Sequence, residues 1–330
     1  MSLKNDHTTT CAPTRAPEPA LLAQWAFEAL VDEALLTPKP GLIDLRSQHA
    51  HHDMSLALMC RSAHTLRPWF EAMAHSALQH RGLFTWRARL GALGREAEHA
   101  MLDATGGVNT HRGAIWALGL LVAAAAQPAR TGECGSVPCG TTGSCNHGHA
   151  HGSLTTRHTP SLTAITRQAA QLARCPDLFA PAQPPNKGTI ACKRYRVNGA
   201  KGQAQAGFPH VTRIGLPTLQ HRRNAGHNEQ QARLDTLLAL IATLDDTCLL
   251  SRAGPTALAR MQAGARQVLQ LGGSTTPEGR IALTALNTVA KEQRLSPGGA
   301  ADLLAATLFL DRLHHHFSPS PSQHDRTSKA

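Results

Sequence analysis

Apolar residues recur every three or four positions along most of this chain, and no stretch alternates steadily between apolar and polar residues. The clearest run passes through Leu56, Met59, Ala63, Leu66 and Phe70. This spacing places apolar side chains on one face of an α-helix, whereas a half-buried strand would require alternation. We therefore predict an all-α fold.

The periodicity predicts a series of helices that are joined by loops. Their expected ranges are 19–36, 56–70, 90–101, 115–125, 162–172, 234–244, 258–268, 282–289 and 303–313. Pro68 is expected to kink or divide the second helix, because proline lacks the N–H that continues the hydrogen-bond ladder. Residues 198–209 are rich in Gly and Ala and are interpreted as a loop that permits close backbone approach.

The ends of the chain and one internal segment do not share this periodicity. We expect residues 1–17 and the tail 317–330 to be disordered, and residues 18–316 to form a single compact multi-helix domain. Within that domain, residues 127–160 are rich in Gly, Thr, Cys and His and predict a flexible insertion. A zinc site in the insertion is the alternative, although no paired C-x-x-C spacing supports it.

Charge and composition narrow the class of partner. The formal net charge is +11, aromatic residues make up only 4%, and no zinc-finger pattern occurs, which argues against a nucleic-acid partner. A polyphosphate or nucleotide ligand explains the charge; a basic surface that serves only solubility is the alternative. No export signal occurs in residues 1–17, and the apolar run 114–126 is too short to span a bilayer. We therefore expect a cytoplasmic protein without a membrane partner.

The stretch from residue 103 to residue 121 reads DATGGVNTHRGAIWALGLL and combines a glycine turn with the start of an apolar helix. Gly106 and Gly107 allow backbone angles and close ligand approach that a Cβ would prevent, and Asn109 or Thr110 can cap the helix. Free N–H groups beside His111 and Arg112 suit an anion. The alternative is an ordinary capped loop that binds nothing.

A second polar cluster lies between the first two expected helices. Lys39 stands between two prolines, which hold it in an extended turn. Asp44, His51 and Asp53 follow in a loop and at a helix start, where they could converge on a metal or a phosphate-bound metal. The alternative for Asp53 is an N-cap without further function.

Other polar clusters follow at later helix ends. Lys201 lies in the Gly-rich segment, Asp246 and Arg252 follow an apolar helix, and the turn 296–299 reads SPGG before the last helix. A carboxylate at the end of an apolar helix is costly to bury without a cation. Because all these clusters fall at helix ends or in loops, we predict one active-site cleft formed by helix termini and loops.

Six ordered motifs within residues 20–315 resemble the triphosphoribosyl-dephospho-coenzyme A synthase family. They are TPKPGLID, HAHHDM, TGGVNTHRGAIWALGLL, GFPHV, DDT and LSPGGAADLLAATLFL. More narrowly, THRGAIWALGLLVAAAA resembles the version that accompanies malonate decarboxylase rather than citrate lyase.

The resemblance implies an all-α transferase with ATP and 3'-dephospho-coenzyme A as substrates. The implied reaction transfers the 5-triphosphoribosyl group of ATP to the 2'-hydroxyl of dephospho-coenzyme A and releases adenine. Its product would pass to a separate transferase that loads the acyl-carrier subunit of the decarboxylase. The triphosphate is expected to require Mg²⁺, and the sequence is compatible with an oligomer.

Roles for individual residues follow from combining the motifs with this chemistry. Asp44, His51, Asp53 and His111 are the catalytic candidates, and Asp44, Asp53 and Asp246 are the candidate Mg²⁺ ligands. The expected contacts to phosphate and nucleotide are Lys39, Gly106, Gly107, Asn109, Arg112, Lys201, Arg252, Ser296, Gly298 and Gly299.

Three positions depart from the pattern that is usual in this family. Lys201 and Gln203 stand where relatives usually carry arginine and glutamate, and Cys248 stands where they usually carry asparagine. Lysine loses the bidentate fork of arginine, and glutamine cannot act as a base. Two alternative functions therefore stay open: a helical metal-dependent nucleotide hydrolase, and an accessory protein that binds nucleotide without turnover.

Overall fold

The computed structural model describes residues 16–46, 54–80, 82–127, 161–182 and 184–317, and within these ranges it contains twelve α-helices and no strand. The helices are α1 Pro19–Leu35, α2 Leu56–Gln79, α3 Leu83–Ala104, α4 Arg112–Ala126, α5 Leu162–Arg174, α6 Lys187–Tyr195, α7 Gly199–Gln205, α8 Leu216–Asn224, α9 Glu229–Ile241, α10 Thr247–Gln270, α11 Pro277–Glu292 and α12 Gly298–Phe317. A π-helical turn, Val211–Gly215, precedes α8, and a 3₁₀ turn, Gly273–Thr275, precedes α11. The all-α prediction is confirmed.

Helix α4 forms the centre of the fold because its apolar run leaves it almost no polar face. All of its residues from Ala114 to Ala126 are buried except Trp116. It packs against α1, α2, α3, α5, α7 and α12. Its alanines and Gly119 allow close contact: a Cβ at Gly119 would come within 2.7 Å of the Met73 sulfur on α2. Small side chains therefore bring the neighbouring helices close to α4.

Helix α12 is the second buried element. Its residues from Leu303 to Asp311 are buried, and it contacts α1, α4, α5, α8, α9 and α10. It thereby joins the N-terminal helices to the C-terminal group α8–α11 in one compact domain. Within the described residues, no helix is both long and apolar enough to cross a membrane.

Pro68 does not divide α2, which continues as one helix for 24 residues. Residues on both sides of the proline are buried, including Leu66, Phe70 and Met73. Burial of these side chains against α1, α3 and α4 offsets the loss of one backbone hydrogen bond. The real interruption lies in α10, where Gly254 adopts a positive φ of 76° immediately before Pro255.

Short helices occur where the sequence shows little apolar periodicity. The segment 198–209, expected to be a loop, contains α7, and α6 and α8 were not expected at all. Asn186 starts α6 by accepting a hydrogen bond from the N–H of Thr189 at 2.9 Å. Only Ala191 is buried in α6 and only Ala204 in α7, so neither helix has an apolar stripe that periodicity could reveal.

The expected terminal disorder and the Cys/His-rich insertion fall mainly outside the described residues. The ranges 1–15, 128–160 and 318–330 are not described, so the predictions for these segments, including the zinc alternative, remain predictions.

We expect Leu118→Ala in the centre of α4 to lower the free energy of unfolding by about 3 kcal/mol. Leu118 is fully buried, so the truncation leaves a cavity among packed helices. The matched control is Leu178→Ala, because Leu178 is 67% exposed and should change the value by less than about 0.5 kcal/mol. Urea unfolding followed by circular dichroism measures both. Equal effects of the two substitutions would contradict the central position of α4.

Candidate active site

A cleft of about 1420 Å³ opens where the starts of α4, α6, α10 and α12 come together. The middle of α3, the glycine turn 106–109 and helix α7 complete its walls. Several helix N-termini therefore face one space, as the sequence predicts, and the positive ends of their dipoles favour an anionic ligand.

The glycine turn connects α3 to α4 at the edge of the cleft. Gly106 and Gly107 have φ values of 64° and 86°, in the left-handed region that strains other residues. The Gly107 N–H donates to the carbonyl of Leu102 at 2.7 Å and closes the end of α3. The N-cap residue of α4 is His111, and the Asn109 side-chain oxygen accepts from the first helical N–H, that of Arg112, at 3.1 Å. Both glycines, Asn109 and Arg112 line the cleft.

Some of the basic side chains that line the cleft form ion pairs with a neighbouring carboxylate, and others do not. Arg112 forms an ion pair with Glu98 across the glycine turn. Lys187, Lys201 and Arg252 have no ion-pair partner within the described part of the chain. These three cations are therefore available to a ligand, and two of them, Lys201 and Arg252, were identified from the sequence.

Asp246 lies at the floor of the cleft and connects the starts of α10 and α12. One of its oxygens accepts from the N–H of Cys248 at 2.8 Å, and the other accepts from the N–H of Ala300 at 3.0 Å. Burial raises the pKa of Asp246 even though these backbone hydrogen bonds oppose the shift. The carboxylate is thus satisfied by helix N-termini rather than by a basic side chain, which explains how the fold accommodates it.

Asp302 is a cleft residue that the sequence analysis did not select. It lies near the start of α12 and accepts a hydrogen bond from the N–H of Ala114 at the start of α4. A Cβ at Gly113 would come within 2.0 Å of its carboxylate, so glycine is required there. Burial and the negative charges of Glu33 and Asp246 raise its pKa well above the usual range. Its sequence neighbours are apolar, so no local signal marks it.

Cys248, one of the three departures from the family pattern, also lines the cleft. Burial is the main reason that its pKa is raised, and the nearby carboxylates of Asp246 and Asp302 add to the shift. The side chain therefore stays a neutral thiol at physiological pH and is not a nucleophile.

His111 does not line the cleft; it is buried at the base of the glycine turn. Its Nδ1 lies 2.7 Å from the hydroxyl of Ser62, and its Nε2 has no partner among the described residues. Burial, with a smaller contribution from Lys39, lowers the pKa of His111 to about 3. The ring is neutral at pH 7 and lies outside the cleft, so the structure does not bring this catalytic candidate to the space that a ligand would fill.

Lys39 and Asp44 are also directed away from the cleft. The Lys39 ammonium is buried and pairs with the Glu33 carboxylate at 2.7 Å, so it is not available to phosphate. Asp44 accepts from the Thr37 hydroxyl at 3.0 Å and from the Lys39 N–H at 2.9 Å. Both residues stabilise the loop that follows α1; the structure brings Lys39 near His111, but neither Lys39 nor Asp44 lines the cleft.

Of the remaining predicted site residues, some lie outside the described residues and others lie in or near the cleft. His51 and Asp53 lie outside the described residues. Gly299 lines the cleft, whereas Ser296 and Gly298 do not. Gly298 packs under Cys248, whose sulfur lies 3.1 Å from the position of a Cβ there. In the described residues no group of three or more His, Cys, Asp or Glu side chains could hold a metal by itself.

Gln203 and His210 form a second feature that the sequence analysis did not connect. Both line the cleft, and the Gln203 amide nitrogen lies 2.8 Å from Nδ1 of His210. The sequence shows glutamine where relatives usually have glutamate, but not that this side chain contacts a histidine.

Comparison with known proteins identifies one family that matches most of the chain. Residues 19–320 match the family described as CitG: ATP:dephospho-CoA triphosphoribosyl transferase. A Klebsiella pneumoniae protein named 2-(5''-triphosphoribosyl)-3'-dephosphocoenzyme-A synthase is 48% identical over 292 residues, covering 88% of this chain and 94% of the relative. A probable synthase of the same name from Stutzerimonas stutzeri is 50% identical over 293 residues, covering 88% and 91%. No solved structure matches the chain.

We expect Asp302→Asn to raise the melting temperature of the ligand-free protein at pH 7. The folded-state pKa of Asp302 lies above its unfolded value of about 3.9, so ionisation opposes folding as the pH rises above that value. Asparagine keeps an acceptor for the Ala114 N–H and does not ionise. The stabilisation should therefore be largest at pH 7 to 8 and shrink as the pH approaches 4, as measured by calorimetry.

The matched control for this prediction is Asp245→Asn. Asp245 is an exposed carboxylate of the same cleft, so its substitution removes one negative charge without relieving burial. A melting temperature of Asp302→Asn that is lower than that of the unsubstituted protein, or a difference independent of pH, would contradict the prediction.

Proposed function

This chain belongs to the ATP:dephospho-CoA triphosphoribosyl transferase family, and we propose that it transfers the 5-triphosphoribosyl group of ATP to the 2'-hydroxyl of 3'-dephospho-coenzyme A and releases adenine. One observation carries the proposal most directly. Helix N-termini and three cations without ion-pair partners in the described chain surround a single large cleft, as a substrate with several phosphates requires.

The size of the cleft supports two nucleotide substrates rather than one. Pockets for a single small ligand usually measure about 300–1,000 Å³, and this cleft measures about 1420 Å³. The larger volume gives room for a donor nucleotide and an acceptor nucleotide side by side.

The phosphate chain is best accommodated along the basic wall. Lys201 and Arg252 extend from α7 and α10, and Lys187 lies at the start of α6. Each ionic hydrogen bond of this kind contributes about 1.5–3 kcal/mol. The glycine turn at Gly106 and Gly107 adds backbone that no side chain shields from a ligand.

The reacting ribose is best placed near the carboxylates at the floor. In the proposed displacement the bond from C1' to adenine breaks and a bond from the acceptor 2'-oxygen forms. The hydroxyl loses one proton and adenine gains one, so atoms and charge balance. A carboxylate near C1' stabilises the positive charge that develops on the sugar. Asp302, with its raised pKa, is well suited to accept the hydroxyl proton.

Among the cleft residues, the adjacent carboxylates of Asp245 and Asp246 fit a Mg²⁺ ion. The raised pKa of Asp246 reflects buried negative charge without a basic partner, which a cation would relieve. Mg²⁺ commonly uses one or two carboxylates together with substrate phosphates, so a larger ligand cluster is not required. When bound, the ion would neutralise charge on the triphosphate.

The wider pathway is proposed from the sequence resemblance. The segment THRGAIWALGLLVAAAA supports a product that serves malonate decarboxylase, with a separate transferase that attaches it to the acyl-carrier subunit. Comparing the two carrier subunits as final acceptors in a coupled assay would separate this assignment from citrate lyase.

The activity is tested by incubating the protein with Mg²⁺, ATP and 3'-dephospho-coenzyme A and measuring free adenine. We expect adenine and the triphosphoribosyl product in equal amounts, and neither when one substrate is omitted. Phosphate or AMP without adenine would instead identify a hydrolase. Binding of both nucleotides without any product would identify an accessory protein.

We expect Arg252→Ala to raise the KM for a phosphate-bearing substrate by roughly 10- to 100-fold, because it removes an ionic hydrogen bond. Arg260→Ala is the matched control, because Arg260 is an exposed arginine on the same helix that does not line the cleft. Steady-state adenine release measures both. A similar KM for the two variants would remove Arg252 from the proposed phosphate wall.

A further inference from the structure

The contact between Gln203 and His210 specifies where the histidine ring carries its proton. The amide nitrogen of Gln203 lies 2.8 Å from Nδ1, and the amide oxygen accepts from the backbone N–H of His210 at 3.4 Å. A backbone N–H can only donate, so it holds the amide oxygen on its own side and leaves the NH₂ group towards the ring.

An amide NH₂ group cannot accept a hydrogen bond, so Nδ1 must be the acceptor in this contact. A neutral imidazole carries one proton, which therefore lies on Nε2. Within the described residues no hydrogen bond to Nε2 is present, and both side chains are half-buried at the cleft wall. The free N–H of the ring is thus available to a ligand in the cleft.

We propose that His210, held by Gln203 as the neutral Nε2–H tautomer, is a hydrogen-bond donor to a phosphoryl oxygen of a bound nucleotide. The identity of this ligand rests on the proposed function, whereas the tautomer does not. A phosphoryl oxygen accepts hydrogen bonds and does not donate them, so a ring nitrogen that binds it must carry a proton. The contact with Gln203 keeps a proton on Nε2 while the ring stays neutral.

The surroundings of the pair favour an anionic ligand that is placed with precision. Lys201 lies two residues before Gln203 on α7 and has no ion-pair partner in the described chain. The indole N–H of Trp116 donates to the carbonyl of Ala200 at 3.3 Å and fastens α7 to α4. The His210 donor therefore belongs to a wall that is fixed relative to the helix start at the glycine turn.

The tautomer is tested directly by NMR of the ligand-free protein. In protein labelled with ¹⁵N-histidine, long-range ¹H–¹⁵N spectra at pH 7.5 report which ring nitrogen is protonated. Because the chain has 20 histidines, the His210 signal is assigned by its loss in His210→Gln. We expect a bare Nδ1 and a protonated Nε2. A protonated Nδ1 in the unsubstituted protein would overturn the proposal.

Gln203→Glu is the matched variant for the same measurement. Glutamate has no N–H, so it can bind Nδ1 only when that nitrogen carries a proton. We expect Nδ1 to become protonated in this variant. An unchanged bare Nδ1 would show that Gln203 does not control the ring and would also overturn the proposal.

The ligand contact is tested by kinetics with two substitutions of the ring. His210→Phe removes the donor and should raise the KM for one nucleotide roughly tenfold. His210→Gln offers an N–H near the position of Nε2 and should recover most of the loss. His221→Phe, an exposed histidine on α8 outside the cleft, is the control and should leave KM unchanged. An unchanged KM for both nucleotides in His210→Phe would overturn the contact.

A failure of the proposed function is distinguishable from a failure of this inference. If the unsubstituted protein released no adenine, the proposed function would be contradicted, but the inference about His210 would not. In that case inorganic triphosphate serves as the probe, and its addition should shift the Nε2–H signal of His210. No shift at saturating triphosphate would overturn the donor role.

Discussion

The burial of α4 on almost its whole circumference is the constraint on which the rest of this structure depends. A helix made of alanine, leucine, valine and glycine cannot face water, so five other helices and α12 must enclose it. Its N-terminal end, however, has N–H groups that require polar partners. The fold brings that end to a polar cleft, where Asn109 accepts from the N–H of Arg112 and Asp302 accepts from the N–H of Ala114.

The same requirement explains why carboxylates lie at the floor of a cleft that we propose to bind phosphates. Asp246 satisfies the starts of α10 and α12, and Asp302 satisfies the start of α4. Both have raised pKa values, so the fold keeps these groups at a cost in stability. A site in which neighbouring groups hold a carboxyl ready to change its protonation state is a common feature of enzymes.

Sequence periodicity was a good guide to the long helices and a poor guide to the short ones. Helices α2, α4 and α12 each bury many apolar side chains, which gives a periodic signal in the sequence. Helices α6 and α7 bury only one residue each and give no such signal. Pro68 was expected to kink or divide α2; it does not divide the helix, because tertiary packing on both sides outweighs one lost hydrogen bond. Local sequence could not show that packing, since the contacting residues lie on α1, α3 and α4.

Apolar periodicity and motifs indicate a helical chain, a glycine turn before the most apolar helix, and polar clusters at helix ends. Which of these clusters meet depends on tertiary packing: Asp302 lines the cleft, whereas Lys39 forms an ion pair with Glu33 and His111 is buried. The same packing joins Gln203 to His210. The reason is that periodicity and capping act within a few residues, while burial, charge pairing and tautomer depend on neighbours from other helices.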